Sequence, residues 1–311
     1  VELLRLDPAR PVRWPSPAVA VGNLDGVHLG HQALVDVVRA EARARGGTSV
    51  VLTFDPHPGR VLQPERSPRA LMTLEQKAEV LAALGVERLA VLPFTRERAA
   101  QAAEDFARSI LAETLGARVV AVGGNFRFGR GREGDAAALQ RLGAAADFDV
   151  VVVPPVTRDG EVVSSTRVRE AVEAGEMQVA AALLGRDYFV DGTVVPGDGR
   201  GRTIGFPTAN VDVVNETLPG LGVYACWMTL LDADGSRLPA AVNVGRRPTF
   251  GGAGITVEAH ALAPVGDLYG ARVRAAFVQR LREERRFPGV EALKAQIAVD
   301  VDEARRVLRV P

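Results

Sequence analysis

The segment Gly22-Asn23-Leu24-Asp25-Gly26-Val27-His28-Leu29-Gly30-His31 constrains this chain more than any other. It packs a glycine-bearing turn and two histidines three residues apart into one junction between a strand and a helix. The apolar run Ala18 to Gly22 before it reads as a short buried strand, and Ala33 to Ala44 after it supplies helix formers with apolar residues at helical spacing. Both histidines therefore stand at a helix start. Backbone N–H groups and the positive end of the helix dipole gather there, and imidazoles at i and i+3 add donors for a polyphosphate. Asp25-Gly26 permits the tight turn that brings backbone close to such a ligand, which makes Gly22, Asn23, Asp25 and Gly26 candidate nucleotide-binding positions. For either histidine taken alone, a structural or solvated role is the plainer reading.

Three further segments sharpen the reading. Ser49 to Phe54 forms a second apolar strand and runs into Thr53-Phe54-Asp55-Pro56-His57-Pro58, a proline-stiffened polar loop at a strand's carboxyl end, where open α/β sheets bind ligands. Arg118 to Val122 reads as another strand and leads into Gly123-Gly124-Asn125-Phe126-Arg127-Phe128-Gly129, with an amide, two aromatics and an arginine able to grip a ring and a phosphate. Phe148 to Val153 is the next strand. After a Pro-Pro turn comes Ser164-Ser165-Thr166-Arg167-Val168-Arg169, continuing as a helix from Glu170, with hydroxyls to cap the helix and arginine to face phosphate.

In order and spacing these four motifs resemble the adenylyltransferase module of the bacterial bifunctional riboflavin kinase/FMN adenylyltransferase family, also called FAD synthetases. The HxGH element alone marks only the wider nucleotidylyltransferase superfamily; the four together are specific to the flavin branch. Leu24 departs from the phenylalanine usual there, which bears on packing at that corner.

Near Tyr188 the pattern changes, and Phe189 to Val195 alternates apolar and polar residues as a strand does. Four glycines between Gly197 and Gly205, among them Gly199 and Gly201, precede Phe206-Pro207-Thr208-Ala209-Asn210. The glycines alone fit a plain hairpin. Thr208 and Asn210, two apart on an extended segment, share a face, as metal and phosphate ligation needs. In Thr256 to Leu262, Val257, Ala259 and Ala261 alternate with Glu258, His260 and Leu262, so Glu258 and His260 share a face too; a surface glutamate explains that equally well. Val290, Leu293, Ile297, Val301, Ala304 and Leu308 recur at three- and four-residue steps, the apolar stripe of a closing helix.

GFPTAN, the Val-Glu-x-His strand, Asp267-Leu268-Tyr269-Gly270 and the stretch from Leu281 to Phe287 are similar to the family's riboflavin kinase module, so the resemblance covers about Ala18 to Leu308. It implies an α/β Rossmann-like nucleotidylyltransferase domain over residues 1–186 and a six-stranded β-barrel kinase domain with a closing helix over 187–311. Arg246 stands where the family more often has a small polar residue.

The same resemblance assigns roles. His28, His31 and Arg169 would be catalytic in adenylyl transfer, with Gly22, Asn23, Asp25, Gly26, Ser164, Ser165 and Thr166 on the nucleotide and Asn125, Phe126 and Phe128 on the flavin. In the kinase half Glu258 would be the base, Gly199, Gly201 and Gly205 would cover ATP phosphates, Thr208 and Asn210 would hold Mg2+, and Arg282 and Phe287 would contact flavin. Riboflavin, FMN, FAD and ATP are the implied small-molecule partners, with ATP the co-substrate of both steps. The two steps ask different things of the protein. The FMN phosphate that attacks ATP's α-phosphorus is already anionic near neutrality, its second pKa lying at roughly 6 if it behaves like a phosphorylated side chain. The ribityl hydroxyl of riboflavin is protonated and profits from a base. No GxxxxGK[ST] motif is present in either half.

Composition agrees with two domains: 311 residues at 47% hydrophobic content can bury two cores. No run approaches a membrane span and no signal peptide precedes the first strand, so the cytoplasm is expected, with a monomer or weak homo-oligomer. Zero formal charge gives no electrostatic case for nucleic acid or membrane binding. Cys226 is the only cysteine, which rules out an intramolecular disulfide and a multi-cysteine zinc site. Basic residues are nearly all arginine, Lys77 and Lys294 being the exceptions, a compositional bias rather than a mechanism. Two other function classes stay open at this point. One is a metallohydrolase with His28, His31 and His57 on zinc; the other is a flavin-binding regulator without turnover.

Overall fold

The computed structural model describes residues 1–197, 201, 205–233, 235–247 and 254–310. They fall into two compact units, Val1–Arg69 with Thr73–Ser164, and Ala70–Met72 with the chain from Ser165 onward. Gly199 lies outside the described residues.

In the first unit six strands form one sheet: β1 (Glu2–Arg5), β2 (Ala18–Val21), β3 (Ser49–Asp55), β4 (Arg88–Pro93), β5 (Val119–Gly123) and β6 (Asp149–Val153). Their order is β1-β4-β3-β2-β5-β6, and every neighbouring pair is parallel. Parallel strands need crossovers that cover both faces, so the inner strands are apolar through their middles. All four residues of β2 are buried, as are Val50 to Leu52 and Leu89 to Leu92. Crossover helices include α1 (Leu29–Ala44), α2 (Leu74–Ala83) and α3 (Ala136–Ala145). From β2 the chain moves outward through β3 and β4, then returns to lay β5 on the other side of β2. The gap between the carboxyl ends of β2 and β5 is therefore the switch point where such sheets bind ligands.

Sequence patterns located four of these six strands; β1 and β4 were not among them. α1 also starts earlier than its apolar spacing showed, at Leu29, so that His28 is its N-cap and His31 lies in its first turn.

The second unit opens with α4 (Ser165–Ala174) and α5 (Met177–Leu184). Six antiparallel strands then close a barrel: β7 (Tyr188–Val195), β8 (Ala209–Val213), β9 (Gly222–Leu230), β10 (Arg237–Arg247), β11 (Gly254–Ala261) and β12 (Arg272–Arg282), in the order β7-β8-β11-β10-β9-β12. Alternation fixes what faces inward: Val257 and Ala259 are 1% and 2% exposed, while Glu258 between them is on the outer face. α6 (Val290–Leu308) lays Ala304 and Leu308 against Ala225 and Ala241 of the barrel. Its expected apolar stripe runs out at the start, for Val290 is exposed.

Helices α4 and α5 pack on this barrel. Gly220 N–H donates to Val172 O at 3.0 Å, Gln178 Nε2 to Gln279 Oε1 at 3.3 Å, and α5 lies on β7 and β12. The short segment Ala70–Met72 joins the unit as a strap. The Tyr188 hydroxyl lies 2.9 Å from Leu71 O and 2.8 Å from Thr217 O; Thr217 N–H donates to Ala70 O, and Ala70 N–H to the Glu216 carboxylate at 2.8 Å.

Candidate functional site

Gly22 ends β2, its N–H donating to Leu52 O at 3.1 Å, and the chain turns through Leu24, Gly26 and Val27 at φ of 46°, 82° and 43°. Left-handed backbone at Leu24 and at β-branched Val27 is strained, of order 1–3 kcal/mol each, and persists only where surroundings over-determine it. Leu24 and Val27 are fully buried. The turn is also bonded at both ends. Asn23 O accepts from Lys77 Nζ at 2.6 Å and from Thr53 Oγ1 at 3.0 Å, and Val27 O accepts from Gln32 Nε2 at 3.0 Å.

This turn delivers His28 to the N-terminus of α1, where its ring stacks on His31 with centroids 3.6 Å apart. Gly30 makes room for the arrangement, since a Cβ there would stand 3.1 Å from the His28 ring. Burial, then the nearby charges of His28 and Lys77, hold His31 well below the usual imidazole range, so at neutral pH it is an uncharged donor and acceptor. Asp25 sits partly exposed in the same turn.

His57 has a different part. Its Nδ1 accepts from Gly59 N–H at 3.0 Å, and Nε2 faces the Asn23 carboxamide at 3.0 Å. A neutral ring accepting through Nδ1 carries its proton on Nε2, so the amide oxygen of Asn23 is the group that meets it. Both ring nitrogens are engaged with protein. A three-histidine zinc site is thus not formed, and among the described residues no group of three His, Cys, Asp or Glu side chains could hold a metal.

On the other side of the switch point, beyond β5, Asn125 is exposed, Phe126 partly buried and Phe128 buried at 7%. Phe126 stacks on Phe128 at 5.3 Å, and Phe128, Phe106, Phe54 and Phe94 continue as a chain of ring contacts. Phe128 therefore backs Phe126 from within the core. Ser164 closes the first unit, while Ser165, Thr166 and Arg169 lie in the opening turns of α4, in the second unit.

On the outer face of the barrel Glu258 pairs across β11 with Asn210 of β8 on one side and Asn243 of β10 on the other. Directly opposed residues on one face bring their Cβ atoms to about 4.5–5.5 Å, so carboxylate and both carboxamides form one row. Thr208 lies at the entrance to β8 beside a cavity of about 620 Å³, also lined by Pro207, Ala261, Leu268 and Tyr269. His260 Nδ1 donates to Pro207 O at 2.8 Å and the His260 ring meets Phe206 edge-on, which pins the Phe-Pro-Thr segment. Gly201 fits under it: a Cβ there would stand 2.4 Å from Phe206 O and 3.0 Å from Thr208 Oγ1. Gly205 is an exposed turn residue at φ 90°. Arg246 is exposed, and its N–H donates to Glu284 Oε1 at 3.3 Å.

Arg282 is held by α6. Its Nε and Nη2 bond both oxygens of buried Asp300 at 2.8–3.0 Å, and Gln296 Nε2 donates to the same carboxylate at 2.7 Å. With that fork engaged, Arg282 and Arg285 flank the Phe287 ring at 5.5 and 5.0 Å. Sequence reasoning did not single out Asp300, Gln296, Asn243, Gln32 or the role of Lys77. Only the rarity of lysine in this chain pointed toward Lys77.

Comparison with known proteins agrees with both halves. The FAD synthetase family matches residues 11–167 and the riboflavin kinase family residues 184–308. The bifunctional riboflavin kinase/FMN adenylyltransferase of Escherichia coli strain K12 is 39% identical over 287 residues, covering 92% of this chain and 91% of that protein. Its counterpart in Pseudomonas fluorescens is 40% identical over 286 residues with the same coverage. A crystal structure described as a macrolide-efflux protein from Streptococcus pneumoniae superposes with a TM-score of 0.88 at 30% identity, covering 98% of this chain and 99% of that one. Efflux is said of that protein; the fold is what the two share. With family matches along both units and relatives near 40% identity end to end, the chain belongs to the bifunctional riboflavin kinase/FMN adenylyltransferase family.

Proposed function

We propose that this chain phosphorylates riboflavin to FMN with ATP on its barrel and transfers an adenylyl group from ATP to FMN at the His28–His31 corner, giving FAD and pyrophosphate. The observation that carries this reading is Glu258 in register between Asn210 and Asn243 on the outer face of the barrel, in one chain with a stacked histidine pair at a sheet switch point.

On the barrel, Glu258 takes the proton of the ribityl hydroxyl as that oxygen attacks the γ-phosphorus of ATP and ADP leaves. Thr208 and Asn210 offer only neutral oxygen donors, which suits Mg2+ shared with substrate phosphates, and Gly201, where a Cβ would clash with Phe206 O, lets the glycine loop close on the Phe-Pro-Thr segment. Bound there, Mg2+ supplies neutralisation of the charge developing on the transferring group. Gly199 and Gly205 complete the cover over ATP, and Phe287, steadied by Arg282, bears on the flavin.

At the adenylyl site the nucleophile is the FMN phosphate, already an anion, so no base is required. An oxygen of that phosphate bonds to the α-phosphorus of ATP and pyrophosphate leaves. His28, His31 and the first N–H groups of α1 align and stabilise the phosphates, with Gly22, Asn23, Asp25 and Gly26 shaping the turn. Ser164, Ser165, Thr166 and Arg169 add donors to the nucleotide, while Asn125 and Phe126, backed by Phe128, take the flavin ring. Residues 1–186 carry this activity and 187–311 the kinase, in the cytoplasm and as a monomer or weak homo-oligomer. Among the described residues no helix is long and apolar enough to cross a membrane.

Incubation with riboflavin, ATP and Mg2+, followed by chromatographic separation over time, tests the reading. FMN should rise first and FAD follow. Absence of either ATP-dependent product from folded protein overturns the corresponding half.

A further inference from the structure

We propose that Lys77 is a positioning residue for adenylyl transfer, its buried ammonium fixing the carbonyl of Asn23 and, through it, the left-handed turn on which His28 stands. The inference rests on the reading of His28 and His31 as the adenylyl site.

Of 38 basic side chains only Lys77 and Lys294 are lysine. Lys294 has an ordinary setting, a surface pair with Glu291 three residues before it. Lys77 does not. It is 9% exposed, in the second turn of α2, and one nitrogen reaches Asn23 O at 2.6 Å and Thr53 Oγ1 at 3.2 Å. Such convergence on a single point suits a compact ammonium with three rotatable donors and does not suit a planar guanidinium, in a chain that otherwise uses arginine almost throughout. Asn23 immediately precedes Leu24, the first of three left-handed residues ending at Val27, and His28 follows them. The anchored carbonyl is thus the hinge end of the strained turn.

Charge adds a second link to the site. Burial disfavours the charged amine, while Asp25 and Asp55 favour it; the ammonium in turn disfavours a proton on His31, as does His28. Lys77 thereby acts on both imidazoles, on His28 through the turn and on His31 through its field. Thr53 also donates to Asn23 O, so removing the amine leaves that carbonyl one of its two donors, with Gln32 still on Val27 O, and separates misplacement from unfolding.

The test uses the full chain with Lys77→Met, Lys77→Arg and the double variant His28→Ala/His31→Ala, the barrel's FMN formation serving as internal control for folding. For Lys77→Met, kcat for FAD formation from FMN should fall about 10²-fold with little change in KM, the size expected when reacting groups are misplaced by about an ångström. The His31 titration followed by NMR, tractable with four histidines in the chain, should move to higher pH, and the acid limb of FAD formation should move with it. Lys77→Arg keeps the charge without the geometry, so kcat should fall while the His31 titration stays near wild type. Wild-type kcat in folded Lys77→Met, or a lost kcat with an unmoved His31 titration, overturns the role. If Lys77→Met fails to fold, wild-type kcat in Lys77→Arg overturns it instead. FAD formation retained by the double histidine variant overturns the site itself; lost there but intact in Lys77→Met, it removes Lys77 alone.

Discussion

The imidazoles of His28 and His31 lie face to face, centroids 3.6 Å apart and planes 19° from parallel. Burial first, and then the repulsion that rings this close feel when both are charged, push the pKa of His31 well below 6.5. The unfolded chain therefore takes up this proton near 6.5 and the folded one only at lower pH. Between those values the unfolded state binds more protons, so the stability present above about 6.5 is lost as pH falls through the folded pKa. In a Trp227→Phe background, where Trp14 reports on the first unit, the urea midpoint should be lower at pH 5.5 than at 7.5. His31→Gln should shrink that difference. An undiminished difference would place the acid sensitivity elsewhere.

The histidine pair is proposed to serve adenylyl transfer alone. His28→Ala/His31→Ala should abolish FAD formation from supplied FMN and leave FMN formation from riboflavin near wild type, both read by chromatography. Equal loss of both activities in a folded variant would sink the assignment.

Only the kinase step needs a proton removed, and only Glu258 is proposed to remove it. Glu258→Gln keeps the shape of the row with Asn210 and Asn243 but has no basicity. General-base assistance is worth about 10²–10⁴-fold, so kcat for FMN formation should drop by that order with riboflavin KM little changed. FAD formation from FMN should survive. Wild-type kinase turnover, measured where chemistry limits the rate, would leave Glu258 a positioning role only.

Asp300→Ala strands the Arg282 guanidinium, which is 19% exposed against 6% for the Asp300 side chain. Removing one partner of such a pair costs about 3 kcal/mol, the low end for buried pairs, visible as a lower urea midpoint for the second unit. Riboflavin KM should rise as well, because Phe287 loses its fixed neighbour. A variant with unchanged midpoint and KM would show that the pair steadies nothing.

A fragment beginning at Asp187 contains every residue proposed for phosphorylation and should form FMN from riboflavin. It lacks α4 and α5, whose Val168, Val172, Met177, Leu183 and Leu184 are buried, and burying side chains of this size is worth about 1.5–3 kcal/mol each. Its thermal midpoint should fall below that of a fragment beginning at Ser165. Equal midpoints would mean the helices add nothing to the barrel, and a folded but inactive Asp187 fragment would rule out a self-contained kinase.

The legible parts of this molecule were those where one local pattern decides the outcome. Strand alternation placed Glu258 on the face opposite buried Val257 and Ala259, and the HxGH spacing placed both histidines at a helix start. β4 escaped because Leu89 to Leu92 is a short apolar run without alternation, leaving no period to read. β1 escaped because an edge strand of four mostly exposed residues carries little alternation. The Asp300–Arg282 fork and the Lys77–Asn23 anchor join residues 18 and 54 positions apart, and nothing local distinguishes such side chains from solvated ones until the fold brings their partners.

The strap Ala70–Met72 has a consequence for the order in which the protein is made. Leu71 O finds its partners in Tyr188 and Asn215, which are 117 and 144 residues further along the chain. At roughly 5–20 residues per second, the strap leaves the ribosome on the order of ten seconds before either. By then Val153 has emerged and the six-stranded sheet can close around a three-residue excursion that still faces water. The barrel is thus the later-born half, and its completion withdraws from solvent a piece of chain synthesised before most of the first unit existed.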